Sequence, residues 1–179
     1  MMNFITVGLL WLMVICAGIV DLRTRRIPNV LVMAGAAVGF LLQGGAAGAG
    51  GVLAAIYGLL VGLAILLPGY LMGFTGAGDA KLMAAVGTFI GPVGILQAAI
   101  FSIFIGSMVA LGFAFSAMVM RQSVSPWGRY SLMFRTLVFT GRPLYIPPAK
   151  GEVMGRKFPF AVSIALGVTA WIVWQWPLA

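Results

Sequence analysis

Histidine is absent from this chain, and cysteine occurs once, as Cys16 inside the first apolar stretch. With a single cysteine no disulfide can close within the chain, and without histidine no zinc site of His and Cys ligands can be assembled. The same gap removes the Ser–His and Cys–His nucleophile pairs. Acids are scarce too: Asp21, Asp79 and Glu152 are the whole complement. Charged residues of both signs make up 8% of 179 residues, too few to clothe a soluble domain of that length.

What remains is mostly apolar. Hydrophobic residues account for 62% of the chain, and its mean hydropathy is +1.11. A spanning helix needs ~20 mostly apolar residues. Six stretches fit that description: 4–20, 28–42, 51–68, 80–95, 98–120 and 158–176. The expected fold class is all-α, one polytopic membrane domain over 1–179. The first stretch reads as a retained span and not as a signal peptide. No basic residue precedes it, three arginines follow it, and no small-residue cleavage site is visible.

Basic residues orient these spans. Arg23, Arg25 and Arg26 follow the first, Lys81 opens the fourth, and the other seven of the eleven lie in the 121–157 loop. Placing both termini outside puts every one of them on the cytoplasmic face, as positive-inside topology requires. The outer connections, near 44–51 and 91–96, carry no charge. The net charge of +8 therefore reads as topology; the lipid bilayer is the expected partner and nucleic acid is not.

Glycines recur four apart at 35/39, 58/62 and 87/91, the spacing that lets membrane helices approach closely. In the cytoplasmic loop, Ser125-Pro126 reads as a helix start. Trp127, Tyr130, Phe134 and Leu137 then follow at helical spacing, with Gly141 and Pro143 as the stop. The pattern predicts an amphipathic interfacial helix over 126–140, between spans five and six. Glu152 reads as solvated or paired with Lys150 or Arg156.

Asp21 lies at the inner end of span one and Asp79 at the inner start of span four. This topology brings both to the same membrane face at similar depth, where ionisable groups are functional suspects. If their carboxyls approach, the two cannot both ionise cheaply and share one proton. The ionised member can then activate water while the other hydrogen-bonds a substrate carbonyl. This is aspartic-peptidase chemistry, which needs no histidine, metal or cofactor. Gly73, Gly76 and Gly78 are expected to supply positive φ and bare backbone beside Asp79. Helix dipoles favour Asp79, at a helix start, as the base and Asp21, at a helix end, as the acid.

These residues resemble a known family. GAGDAKL at 76–82 is similar to the GxGDxKL signature of type IV prepilin peptidases, membrane aspartic peptidases that process pilin-like precursors. VDLRTRRIPN at 20–29 resembles their first motif, and RKFPFAVSIALG at 156–167 their C-terminal Pro-Phe segment. The resemblance implies that Asp21 and Asp79 are the catalytic pair. It implies that Pro28, Asn29, Gly76, Gly78, Lys81, Pro159 and Phe160 shape the site. It also implies prepilin substrates whose short basic leader is cut at the cytoplasmic boundary of a bacterial inner membrane, usually after glycine. Larger members also N-methylate the new terminus and carry an N-terminal cytoplasmic region. This chain opens on its first apolar stretch and resembles the short form associated with tight-adherence (Flp-type) pili, for which methylation is not expected. Two features depart from the pattern: Ala77 inside the signature, and Ala161-Val162 where a second Pro-Phe often stands.

Other readings compete. A presenilin-like protease pairs GxGD with Tyr-Asp and Pro-Ala-Leu motifs; here Val20 precedes Asp21 and no Pro-Ala-Leu occurs. A proton-coupled transporter would use the two aspartates as a relay, but such sites usually lie near mid-membrane among broken helices. A structural assembly protein with the acids as caps is the third.

Overall fold

The computed structural model describes residues 3–73, 75–119, 127–142, 144, 146 and 160–175. Among them the helices are α1 (Phe4–Thr24), α2 (Asn29–Leu71), α3 (Ala77–Val119), α4 (Trp127–Thr140) and α5 (Phe160–Gln175). Pro126, Glu152, Pro159 and most of the 121–157 loop lie outside the described residues. Three stretches are long and apolar enough to cross a membrane: α1, α2 and Ala77–Gly112 of α3. The shorter α5 is also apolar.

Helices α2 and α3 each contain 43 residues. At 1.5 Å per residue a straight helix of that length would run about 65 Å, twice the hydrocarbon layer. Neither is straight. The helical dihedrals of α2 fail at Ala47 and Gly48, the latter at φ 57°, ψ −137°. A Cβ on Gly39, before the break, would overlap Thr88. One on Gly58, after it, would overlap the Gly87 carbonyl. Both limbs of α2 therefore flank one stretch of α3, and α2 is a hairpin. Helix α3 breaks at Gly91 (φ 69°, ψ −178°), with Pro92 next. The break interrupts the helical ladder, Pro92 having no N–H to give, and the Phe89 carbonyl beside it accepts from Gln43 Nε2 at 2.8 Å.

These breaks correct the expected connections. The glycine-rich stretch after span two is helical except at Ala47 and Gly48, so the second and third segments are longer than 28–42 and 51–68. The third runs through Pro68 to Leu71. Between the fourth and fifth segments the break falls at Gly91 itself, not across 91–96. The first segment extends to Thr24, where Arg25 takes a left-handed conformation (φ 53°) and donates its N–H to the Asp21 carbonyl at 2.8 Å.

The first limb of α3 is the centre of the bundle. Leu82, Met83, Ala85, Val86 and Phe89 are all buried, so this limb is covered on every side. Around it pack Leu10, Met13, Val14 and Ala17 of α1, Val32 and Leu66 of the two α2 limbs, and Ile164, Val168 and Trp171 of α5. The glycine pairs behave as their spacing suggests. A Cβ on Gly62 would clash with the Met83 carbonyl, and one on Gly35 with Met13 Sδ. At Gly58 and Gly62 backbone thus meets backbone, the close approach that association in lipid depends on, whereas Gly35 and Gly39 make room for the Met13 and Thr88 side chains. In the 121–157 loop a helix forms at Trp127–Thr140, with Leu132, Phe134, Val138 and Phe139 exposed.

Candidate active site

Two helix boundaries and one tight turn build the site. Asp21 sits in the last turn of α1. Asp79 sits in the first turn of α3, reached from α2 through a short turn. The turn is short: α2 lasts to Leu71 and α3 begins at Ala77. Of its glycines Gly73 has positive φ, while Gly78 is helical.

The spacing Gly76–Asp79 has a direct physical meaning. The Gly76 N–H donates to Asp79 Oδ2 at 2.8 Å, and the Asp79 N–H donates back to the Gly76 carbonyl at 3.1 Å. This is half a capping box, a carboxylate three residues into the helix satisfying the cap residue's N–H. Glycine at 76 leaves room for it, since a Cβ there would lie 3.2 Å from Asp79 Oδ2. Glycine at 78 serves a different purpose from the positive φ expected of it: a Cβ would stand 3.2 Å from the Cβ of Ile27. The α1–α2 link is thereby pressed against the start of α3.

That link carries the next contact. Pro28 is extended (φ −63°, ψ 130°) and sets the start of α2, whose first residue is Asn29. Lys81 Nζ donates to Asn29 Oδ1 at 3.1 Å, joining positions 52 apart in the chain. From the third side comes α5, whose first residue is Phe160. The first turn of α5 packs on α1 one turn before Asp21: a Cβ on Gly18 would lie 3.9 Å from the Ala161 carbonyl. Asp21 and Asp79 are each only 7% exposed, and Asp21 lies near enough for its charge to act on Asp79. Asp21 Oδ2 is buried with no hydrogen-bond partner, as is Thr75 Oγ1 in the turn before Gly76. Asp79 thus stands in the first turn of α3 and Asp21 in the last turn of α1.

The structure therefore gathers Asp21, Asp79, Gly76, Gly78, Pro28, Asn29, Lys81 and Phe160 at one end of the bundle; Pro159 lies outside the described residues. The breaks at Gly48 and Gly91 lie at the opposite end. Sequence reasoning missed Ile27, although it lies inside the Ile-Pro-Asn motif, because its contact with Gly78 joins separate segments. Among the described residues no three His, Cys, Asp or Glu side chains form a cluster.

A sequence model of the type IV leader peptidase family matches residues 6–111, more than half of the chain. The chain belongs to the type IV leader peptidase family. The matched stretch takes in both aspartates of this leader peptidase and every residue named from 28 to 81, and ends before α5. No curated protein and no solved structure matches the chain.

Proposed function

We propose that this leader peptidase removes the short basic leader of Flp-type prepilins by an aspartic mechanism, with Asp21 and Asp79 as the catalytic pair. The observation that supports this reading is the gathering of two buried carboxyls, from helices far apart in sequence, at one end of the bundle, with Asp79 held by a main-chain N–H. In this mechanism the pair holds one proton. The ionised carboxylate takes a proton from water as the water attacks the scissile carbonyl, and the protonated partner hydrogen-bonds that carbonyl's oxygen. The proton taken from water then passes to the leaving amine.

In this reading the hairpins of α2 and α3 supply two crossings each, and α1 and α5 one each, for six in all. Arg23, Arg25, Arg26 and Lys81 mark the cytoplasmic face of a bacterial inner membrane, with both termini on the other side. Helix α4 lies in the cytoplasmic interface. A transporter relay is less well supported, because the helix breaks occur at the end of the bundle away from the aspartates.

The test is co-expression with candidate Flp-type prepilins, following the precursor's mass for the parent, Asp21→Asn and Asp79→Asn. Asparagine keeps the size and the acceptor oxygen of each side chain while removing its acid–base function. Both variants should insert normally yet cleave at least ~100-fold more slowly, the usual cost of losing a general acid or base. Parental cleavage by both would rule out the paired-aspartate mechanism.

A further inference from the structure

The turn that carries Asp21 and the turn that carries Asp79 are tied together by residues 24–29. At the α1 end the Arg25 N–H donates to the Asp21 carbonyl at 2.8 Å. The Thr24 hydroxyl is shared between the Val20 and Arg26 carbonyls, 2.9 Å from each. Arg25 takes φ 53°, and among the described residues no other residue but glycine has positive φ. Pro28, at φ −63°, is held by its own ring. At the far end the link meets α3 twice. A Cβ on Gly78 would lie 3.2 Å from the Cβ of Ile27, and Asn29 Oδ1 accepts from Lys81 Nζ at 3.1 Å. Positions 78 and 81 are three apart and so neighbours on one side of the helix. Two attachments there fix the rotation of the turn as well as its distance. Asp79 lies between them in sequence.

We infer that the 24–29 link is a positioning strap for the reaction: the left-handed step at Arg25 and the Asn29–Lys81 clasp together set the two carboxyls against each other. The inference rests on the catalytic roles proposed for Asp21 and Asp79. The family resemblance marks Asn29 and Lys81 one by one; in the strap they act as a pair, and Arg25 joins them through its backbone. A helix that simply continued past Thr24 would carry Ile27 and Asn29 along the axis of α1. The left-handed step at 25 turns the chain out of that axis, and both residues reach α3. Glycine takes this conformation freely, while a β-branched residue is an outlier in it. Conformation and charge at position 25 can therefore be separated, because glycine and valine remove the same charge.

The experiment uses full-length protein and a full-length Flp-type prepilin in phosphatidylethanolamine–phosphatidylglycerol vesicles. Precursor mass gives KM and the kcat per folded enzyme. Arg25→Gly keeps the left-handed step and should stay within about threefold of the parent. Arg25→Val should lose about tenfold or more in kcat with KM essentially unchanged, since small displacements are amplified at reacting groups. Asn29→Ala and Lys81→Met should each lose about tenfold, and the double variant about tenfold again, not the product, because either change opens the same clasp. A merely structural link would lower the melting midpoint of these variants and leave the kcat of the folded enzyme alone. Parental kcat in Arg25→Val overturns the inference. Equal losses in the glycine and valine variants overturn it too, since they make charge the cause, and so do losses that multiply in the Asn29/Lys81 pair. If Arg25→Val fails to fold, the Asn29/Lys81 comparison decides. Asp21→Asn and Asp79→Asn, run alongside, separate the two readings. Full activity there sinks the catalytic assignment, whereas inactivity there with parental kcat in Arg25→Val sinks only the strap.

Discussion

Asp79 is held by a hydrogen that belongs to no side chain, and the residues around it are shaped to leave that hydrogen room. At position 76 the missing side chain keeps the Gly76 N–H open to the carboxylate, 2.8 Å away. At position 78 it lets Ile27 close over the first turn of α3. Side-chain size at 78 should therefore grade activity. Gly78→Ala asks Ile27 to give by a few tenths of an ångström and should keep most of the parental kcat. Gly78→Leu should lose about tenfold or more, because misplacement of this order is amplified at a reacting centre. A leucine variant with parental turnover of prepilin would show that Ile27 does not wall the site.

At the scale of elements, two long helices are folded back on themselves, and each fold leaves backbone polar groups to satisfy in an apolar surrounding. Gln43 donates to the Phe89 carbonyl at the Gly91–Pro92 break. Removing that donor should cost about 1–3 kcal/mol, the usual penalty for an orphaned buried acceptor. Gln43→Leu should accordingly melt below the parent in detergent, while Gln43→Glu, whose carboxylate cannot donate unless protonated, should do no better. An unchanged midpoint for Gln43→Leu would mean the carbonyl finds another donor. Glycine then proline at 91–92 is a strong stop, yet the expected fourth span ran past it to 95 because the apolar run continues. The 47–48 break could not be placed within its run of small residues, because many of those positions could bend equally well. The glycines at 58, 62 and 87 were legible from their spacing of four. The pairing of Lys81 with Asn29 was not, although each had been assigned to the site, because no local rule links residues 52 apart. Sequence reasoning also expected positive φ at Gly78, where the real constraint is lateral crowding from another segment.

At the scale of the whole molecule, charge and chain reversals agree. Arg23, Arg25, Arg26 and Lys81 lie at the end that holds the aspartates, and the uncharged reversals at Gly48 and Gly91 lie at the other. Single-cysteine variants on a Cys16→Ala background can read this directly. A cysteine at Gly45 should react in intact cells with a membrane-impermeant thiol reagent. One at Arg25 should react only after the membrane is opened. Equal labelling of both in intact cells would break the six-crossing topology.

The main-chain grip on Asp79 reaches beyond this one molecule. A hydrogen pointed by a helix start is supplied by any residue except proline, so Asp79 asks of position 76 only an N–H and room beside its carboxylate. Letters beside the aspartates can drift while the hydrogens stay where they are. Two chains could then run the same chemistry with little spelling in common, and an aligner would undervalue the kinship that their backbones keep.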